Sequence, residues 1–257
     1  MGGQTFDPSG LAGSSVVVVA PHLDDAALSL GSTIGRLAGA GADVGVLTVF
    51  AGDPSSEHPV DEWGRRCGFR TRGEEAAARR EEDRRACAVL EARPVWLTLE
   101  PESPDAAVRA AVEEALEGAD VVFVPGYPCS HPDHVRVSKL VLQLRPLGRL
   151  AFYADQPYAM WLVLGAGTTA GRGRRGNAVD LAVRRRRASG LLEPRVPEGL
   201  GAGDVRWEVV ARSTRAWARK QRAIRCYRSQ LRAYGHVTPA GLVLYEAAAG
   251  GEAIGWR

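Results

Sequence analysis

Lysine is almost missing from this 257-residue chain: Lys139 and Lys220 are the only two. Basic charge rests on arginine, as GC-rich coding favours, and the net charge of +3 is too small to argue for nucleic acid or an anionic membrane. The four cysteines (Cys67, Cys87, Cys129, Cys226) show no CxxC spacing, which excludes a thiolate zinc cluster and, at this length, a disulfide scaffold. No apolar run approaches the ~20 residues of a membrane span. The N-terminus lacks the basic-then-apolar order of a signal peptide. No GxGxxG follows the first apolar segment, which counts against a dinucleotide-binding enzyme. No internal repeat is present. These absences leave a cytoplasmic enzyme or binding protein as the expectation.

What is present alternates. Val16 to Ala20 is a continuous apolar run, the pattern of a strand buried on both faces of a parallel sheet. Ala26 to Ala40 has helical spacing, Val44 to Phe50 reads as a strand, and 51–72 reads as a long loop without period. A charged helix over Gly73 to Ala92 precedes a short strand at Val95 to Leu99. Ser103 opens a further helix, with Pro104 at its first position. Residues 119–125 form another buried strand, followed by a helix from His134 to Leu144. Ser213 to Ala233 reads as one helix with Ser213 as its N-cap. The fold class expected is α/β: a Rossmann-like, open, mostly parallel sheet with helices on both faces and a smaller C-terminal lobe. One domain is expected, with the core at 14–154 and the lobe at 155–257.

Ligands gather at the carboxyl ends of strands in such sheets. "APHLDDA" ends the first strand and "PGYPCSHPDHVRVS" the fourth, and three of the five histidines (His22, His131, His134) fall in these two loops. Taken singly, each loop reads equally well as a polar turn before a helix. Together they read as a metal site. Imidazole and carboxylate are zinc donors, and a catalytic zinc takes three protein ligands. His22 and Asp25, three apart, share a helical face. Asp24 then points elsewhere, free to act on water. His134 supplies a third ligand from the other loop, and His131 reaches the reacting centre, held by Asp133.

"PHLDD" followed much later by "HPDH" in an α/β chain of this length resembles the zinc-dependent, LmbE-like de-N-acetylase family. That family includes N-acetylglucosaminyl-phosphatidylinositol deacetylase, mycothiol-pathway enzymes and antibiotic-pathway sugar deacetylases. The resemblance covers roughly the first 160 residues. It implies one Zn2+ per chain on His22, Asp25 and His134, with Asp24 as general base. It implies His131 at the oxyanion or the leaving amine, Asp133 orienting His131, and Arg79 contacting substrate. The family's common form is HPDDE; Leu23 and Ala26 depart from it.

The implied activity is hydrolysis of an N-acetyl or other N-acyl group on an amino sugar or glycosylated metabolite, in secondary metabolism. The alternatives are an amidase of a thiol conjugate and a non-catalytic glycan-binding protein. The partner expected is a small N-acylated sugar or glycoconjugate. Other features read more plainly. "RREED" at 79–83 is taken as a solvated helix face, and "YADQPYAMW" at 153–161 as either core or sugar-stacking aromatics. "CYRSQ" at 226–230 is taken as packing near the site rim, and the Gly/Arg-rich 165–187 as a solvated lid.

Overall fold

A computed structural model describes residues 5–144, 148–164, 204–234 and 237–257, with Val196 and Leu200. The Gly/Arg-rich 165–187 stretch lies outside the described residues. Among those described, seven strands form one sheet in the order β3-β2-β1-β4-β5-β7-β6. They are β1 (Ser15–Ala20), β2 (Asp43–Thr48), β3 (Arg93–Trp96), β4 (Val121–Tyr127), β5 (Arg149–Ala154), β6 (Arg206–Ala211) and β7 (Gly251–Trp256). The first five run parallel; β7 pairs antiparallel with β5, and β6 antiparallel with β7. The α/β expectation holds, with two antiparallel strands from the C-terminal part of the chain extending the sheet. No helix among the described residues is long and apolar enough to cross a membrane.

The apolar run of β1 divides its side chains between the two sheet faces, as alternation in a strand requires. Val16, Val18 and Ala20 join one core with Leu30, Ile34 and Leu37 of α1 (Asp25–Gly39) and Leu90 of α3 (Arg72–Leu90). Val17 and Val19 join a second core with Val108 and Val112 of α4 (Asp105–Ala115) and Val137 and Val141 of α5 (Pro132–Leu142). The chain leaves β1 towards β2 and β3, then returns to place β4 on the other side. The ends of β1 and β4 therefore flank the point where strand order reverses, and that is where such sheets hold ligands.

Two expectations need correction. The loop at 51–72 contains the short helix α2 (Glu62–Cys67), capped by the Asp61 carboxylate on the Gly64 N–H at 2.8 Å and ended by Gly68 at φ +101°. Six residues are too few to show a helical period, although the cap and stop residues stand in the sequence. The helix expected over Ser213 to Ala233 is two, α7 (Thr214–Ile224) and α8 (Arg228–Tyr234). Neither proline nor glycine marks the break. Beside it Tyr227 donates its hydroxyl to the buried Asp83 at 2.6 Å. Ser213 does cap α7, accepting from the Ala216 N–H. Among the described residues the remaining α-helices are α6 (Tyr158–Leu164) and α9 (Val237–Ala249).

α7 crosses α1 closely because α1 offers two glycines there. A Cβ on Gly31 would lie 2.7 Å from Lys220 Cγ, and one on Gly35 2.7 Å from Arg219 Cδ. The close approach buries Lys220 completely. Its ammonium donates to Glu246 Oε1 of α9, to Glu252 Oε1 of β7 at 2.7 Å and to the Ser29 carbonyl at 3.4 Å. α1 departs from helical geometry at Leu30 (φ −123°, ψ 17°), and Glu252 accepts from the Ser32 N–H at 2.9 Å and the Thr33 N–H at 2.7 Å. Glu252 thus caps a helix start inside α1. Replacing Lys220 by Met strands two buried carboxylates, so stability should fall by about 3–5 kcal/mol. Urea denaturation reads this directly, and a loss under ~1 kcal/mol would show the cluster to be inert.

Candidate functional site

β1 delivers its chain into a turn that no ordinary residue adopts freely. Asp24 sits at φ +113°, in the left-handed region, and precedes the first residue of α1. Such a conformation costs on the order of 1–3 kcal/mol and persists where surrounding contacts fix it. Here the His22 N–H donates to Asp25 Oδ2 at 2.8 Å, and Arg79 Nη2 of α3 donates to the Leu23 carbonyl at 2.9 Å. The same Arg79 nitrogen stands 4.0 Å from Asp24 Oδ1, while Nη1 pairs with Glu75 at 3.2 Å. Arg79, expected to contact substrate, both lines the cavity and braces the turn from below.

On the other strand, His131 caps α5 by accepting the Asp133 N–H on its Nδ1 at 3.3 Å. One helical position on from Asp133, His134 turns inward and is fully buried. The two loops meet through three donor atoms. His22 Nδ1 lies 3.2 Å from His134 Nε2, His134 Nε2 lies 3.3 Å from Asp25 Oδ2, and His22 Nδ1 lies 3.5 Å from that same oxygen. A tetrahedral ion with bonds of 2.0–2.2 Å needs donor–donor edges of about 3.3–3.6 Å. The triangle fits such an ion.

The outer nitrogens support the same geometry. His22 Nε2 faces Asp133 Oδ2 at 3.0 Å, and His134 Nδ1 faces the buried Asp155 at 2.7 Å. Each imidazole turns one nitrogen to the common point and gives the other to a carboxylate, the usual support of a metal-binding histidine. Asp133, expected beside His131, lies 3.8 Å from His131 Nδ1 and directs its carboxylate to His22. Asp155 was not foreseen; its signal was an acid at the end of β5, the strand beside β4. Two overlapping groups, His22 with His131 and His134, and Asp25 with His134 and Asp155, also have donor atoms within 4.8 Å. His134 belongs to both.

The electrostatics favour a cation at this point. Burial alone would pull His22 down, but hydrogen bonds to Asp133 and Asp25 carry it up to about 9. Burial likewise opposes the charge on His134, and Asp155 and Asp25 overcome it. Asp25 is driven the other way, to about 2, because the neighbouring imidazoles outweigh its burial. Asp24 rises to about 8, first from burial and then from the Asp25 charge, and its Oδ2 is a buried oxygen with no hydrogen-bond partner among the described residues. His131 falls to about 4, through burial and then repulsion from His22 and His134.

These groups open into a cavity of about 430 Å³, whose lining includes the aromatic residues Phe50, Trp63, Tyr158, Trp161 and Tyr234 and the charged residues Arg72, Glu100 and Glu102. Tyr153, by contrast, is core: it is fully buried, with its hydroxyl on the Val19 carbonyl at 3.0 Å. "RREED" is not a solvated face. Arg79 braces the turn, Arg80 holds the Ala51 and Gly52 carbonyls, Glu82 accepts from Ser229 and Asp83 from Trp96 and Tyr227; only Glu81 pairs on the surface. "CYRSQ" supplies Tyr227 and Ser229 to two of these bonds, and Gln230 accepts from Trp63 Nε1 at 3.0 Å on the cavity rim.

Among solved structures, the A40926 pseudoaglycone deacetylase matches at 23% identity and a TM-score of 0.70, over 95% of this chain and 96% of that one. A deacetylase of the teicoplanin biosynthesis pathway matches at 20% and 0.70, over 95% and 97%. N,N'-diacetylchitobiose deacetylase from Pyrococcus horikoshii matches at 21% and 0.53, over 95% and 83%. At these identities the likeness is one of fold. No curated protein matches the chain. Residues 17–145, half of the sequence and the span that holds both the His22–Asp25 and the His131–His134 loops, match the family described as PIG-L, GlcNAc-PI de-N-acetylase, and the chain belongs to that family.

Proposed function

We propose that this protein is a zinc-dependent hydrolase that removes an N-acetyl group from an amino sugar or glycosylated small molecule. The observation that carries the reading is the triangle of His22 Nδ1, Asp25 Oδ2 and His134 Nε2, with edges of 3.2–3.5 Å, beside the unpartnered Asp24 Oδ2. The family match and the similarity to sugar and glycopeptide deacetylases support the substrate class. A zinc ion on this triad supplies Lewis acidity, acidifying water and polarising a carbonyl.

The chain's own groups do the rest. Asp24, pushed up to about 8 by burial and the Asp25 charge, lies next to the triad in sequence and space; positive charge held on the triad would favour its ionised form, the form that acts as a base. It accepts the proton of the attacking water and returns it to the nitrogen as the C–N bond breaks, giving acetate and a free amine. His131, whose Nδ1 already accepts the Asp133 N–H, is neutral and carries its own proton on Nε2. That N–H donates to the carbonyl oxygen as negative charge develops there, a contribution whose removal typically costs ~10²–10³ in rate. Asp133 and Asp155 hold the His22 and His134 rings in the tautomers that leave the inner nitrogens free.

Three outcomes test the reading. Asp25→Ala and His134→Ala should each abolish stoichiometric zinc in metal analysis of folded protein, and full occupancy in either removes that residue from the site. Asp24→Asn should keep its zinc while acetate release from an N-acetylated amino sugar falls by about 10²–10⁴; near-normal turnover would end its role as base. Asp155→Asn should weaken zinc by about 10–100-fold in competition with a chelator. Unchanged affinity would make Asp155 a packing group only.

A further inference from the structure

His134 is held at both ring nitrogens by carboxylates that trace back to one turn of α1. Its Nε2 faces Asp25 Oδ2 at 3.3 Å, and its Nδ1 faces Asp155 Oδ2 at 2.7 Å. Asp25 is the first residue of α1. Asp155 is tied to the same helix through the next peptide, because the Gln156 N–H donates to Ser29 Oγ at 2.9 Å. Ser29 stands four residues after Asp25, so both side chains leave one face of the helix, a turn apart. The contacts form a closed circuit: Asp25, His134, Asp155, Gln156, Ser29, and back along that turn. We propose that Ser29 is a positioning residue for the metal site, setting the distance between the Asp25 ligand and the Asp155 carboxylate that aims His134. The proposal rests on the metal-site part of the reading above and adds to it a residue outside the donor set.

The Asp155 carboxylate has no second hold of its own. Its Oδ1 is buried without a hydrogen-bond partner among the described residues, so the backbone on either side fixes where Oδ2 points. The Asp155 N–H donates to the Tyr127 carbonyl at 2.5 Å, and the Asp155 carbonyl accepts from the Ala159 N–H at 2.9 Å. These two bonds tie the segment to β4 and α6. The bond from Gln156 to Ser29 ties it to the helix that begins with Asp25.

Ser29 is a fixed point because the first turn of α1 is held apart from the rest. In an unbroken helix the Thr33 N–H would bond the Ser29 carbonyl. Here it donates to Glu252, and the Ser29 carbonyl accepts from the buried Lys220 Nζ at 3.4 Å. The turn is thus gripped at its far end by Lys220 on the backbone and Gln156 on the side chain. At its near end the His22 N–H holds Asp25. Ser29, Gln156, Asp155 and His134 are all buried.

Chelator competition gives zinc affinity for the wild type, Ser29→Ala, Asp155→Asn and the double variant. Ser29→Ala leaves the buried Gln156 N–H unpaired, and affinity should fall by about tenfold or more, as when a group supporting a ligand is lost. Because Ser29 acts through Asp155, the two losses should not multiply, and the double variant should lie within about twofold of the weaker single one. Cobalt(II) in place of zinc gives a second readout. The visible absorption bands of cobalt-loaded Ser29→Ala should be displaced from those of the wild type, since the bands report ligand geometry. Ile34→Val, which thins the core under the same helix, should keep the wild-type affinity and spectrum. Unchanged affinity and bands in Ser29→Ala overturn the role while the metal site stands. Losses that multiply in the double variant, or an equal loss in Ile34→Val, also overturn it. Wild-type protein that takes up no zinc ends the metal-site reading, and the Ser29 role falls with it.

Discussion

A single carboxylate oxygen, Asp25 Oδ2, joins the two halves of this molecule. It accepts the His22 N–H at 2.8 Å and so closes the turn after β1, and at 3.3 Å it faces His134 from the loop after β4. β1 and β4 are neighbours whose following connections diverge to opposite sides, and that divergence leaves an opening at their carboxyl ends. The surrounding structure serves that contact. The left-handed Asp24 exists because the turn must tighten to bring His22 and Asp25 to the same point, and Arg79 holds the tightened backbone from α3. The elevated imidazoles and the depressed Asp25 are the electrostatic counterpart of the same arrangement: negative groups concentrated where water is excluded.

Much of this was readable from residues alone, and the reasons are physical. A strand buried on both faces has to be continuously apolar, so β1 and β4 announced themselves, and the polar clusters at their ends followed. His22 and Asp25 do meet, but through the turn at the left-handed Asp24 and not on a shared helical face, because α1 starts only at Asp25. What stayed hidden depends on tertiary approach. Asp155 is an unremarked acid in "YADQPY" until β5 lies beside β4. The charges of "RREED" look like a solvated face because their partners, Ser229, Tyr227 and Trp96, are distant in sequence or uncharged. The break between α7 and α8 has no proline or glycine to mark it, and α2 is shorter than any period that would reveal it.

The two departures from the family's common turn also acquire a setting. Leu23 is buried, and its carbonyl is the oxygen that Arg79 holds. Ala26 is buried in the core with Val16, Leu30 and Ile34, so an acidic side chain at that position would enter apolar surroundings. The turn keeps its donors while the residue after them serves packing. The difference between this chain and the HPDDE form therefore lies behind the site, on its core side, and the cavity side is composed of other elements: α2, α6 and α8.

The bend in α1 has a consequence for the order in which the molecule is made. Its internal N–H groups are capped by Glu252, which lies 220 residues beyond Ser32 in the chain. A ribosome releases the N-terminal turn, the parallel strands and all three donor residues long before β7 exists. Until that strand docks, the helix that carries Asp25 lacks the support for its bend, and Lys220 lacks one of its two counter-ions. Completion of the scaffold behind the site is therefore coupled to the arrival of β7, and a nascent chain holding His22, Asp25 and His134 is still without it.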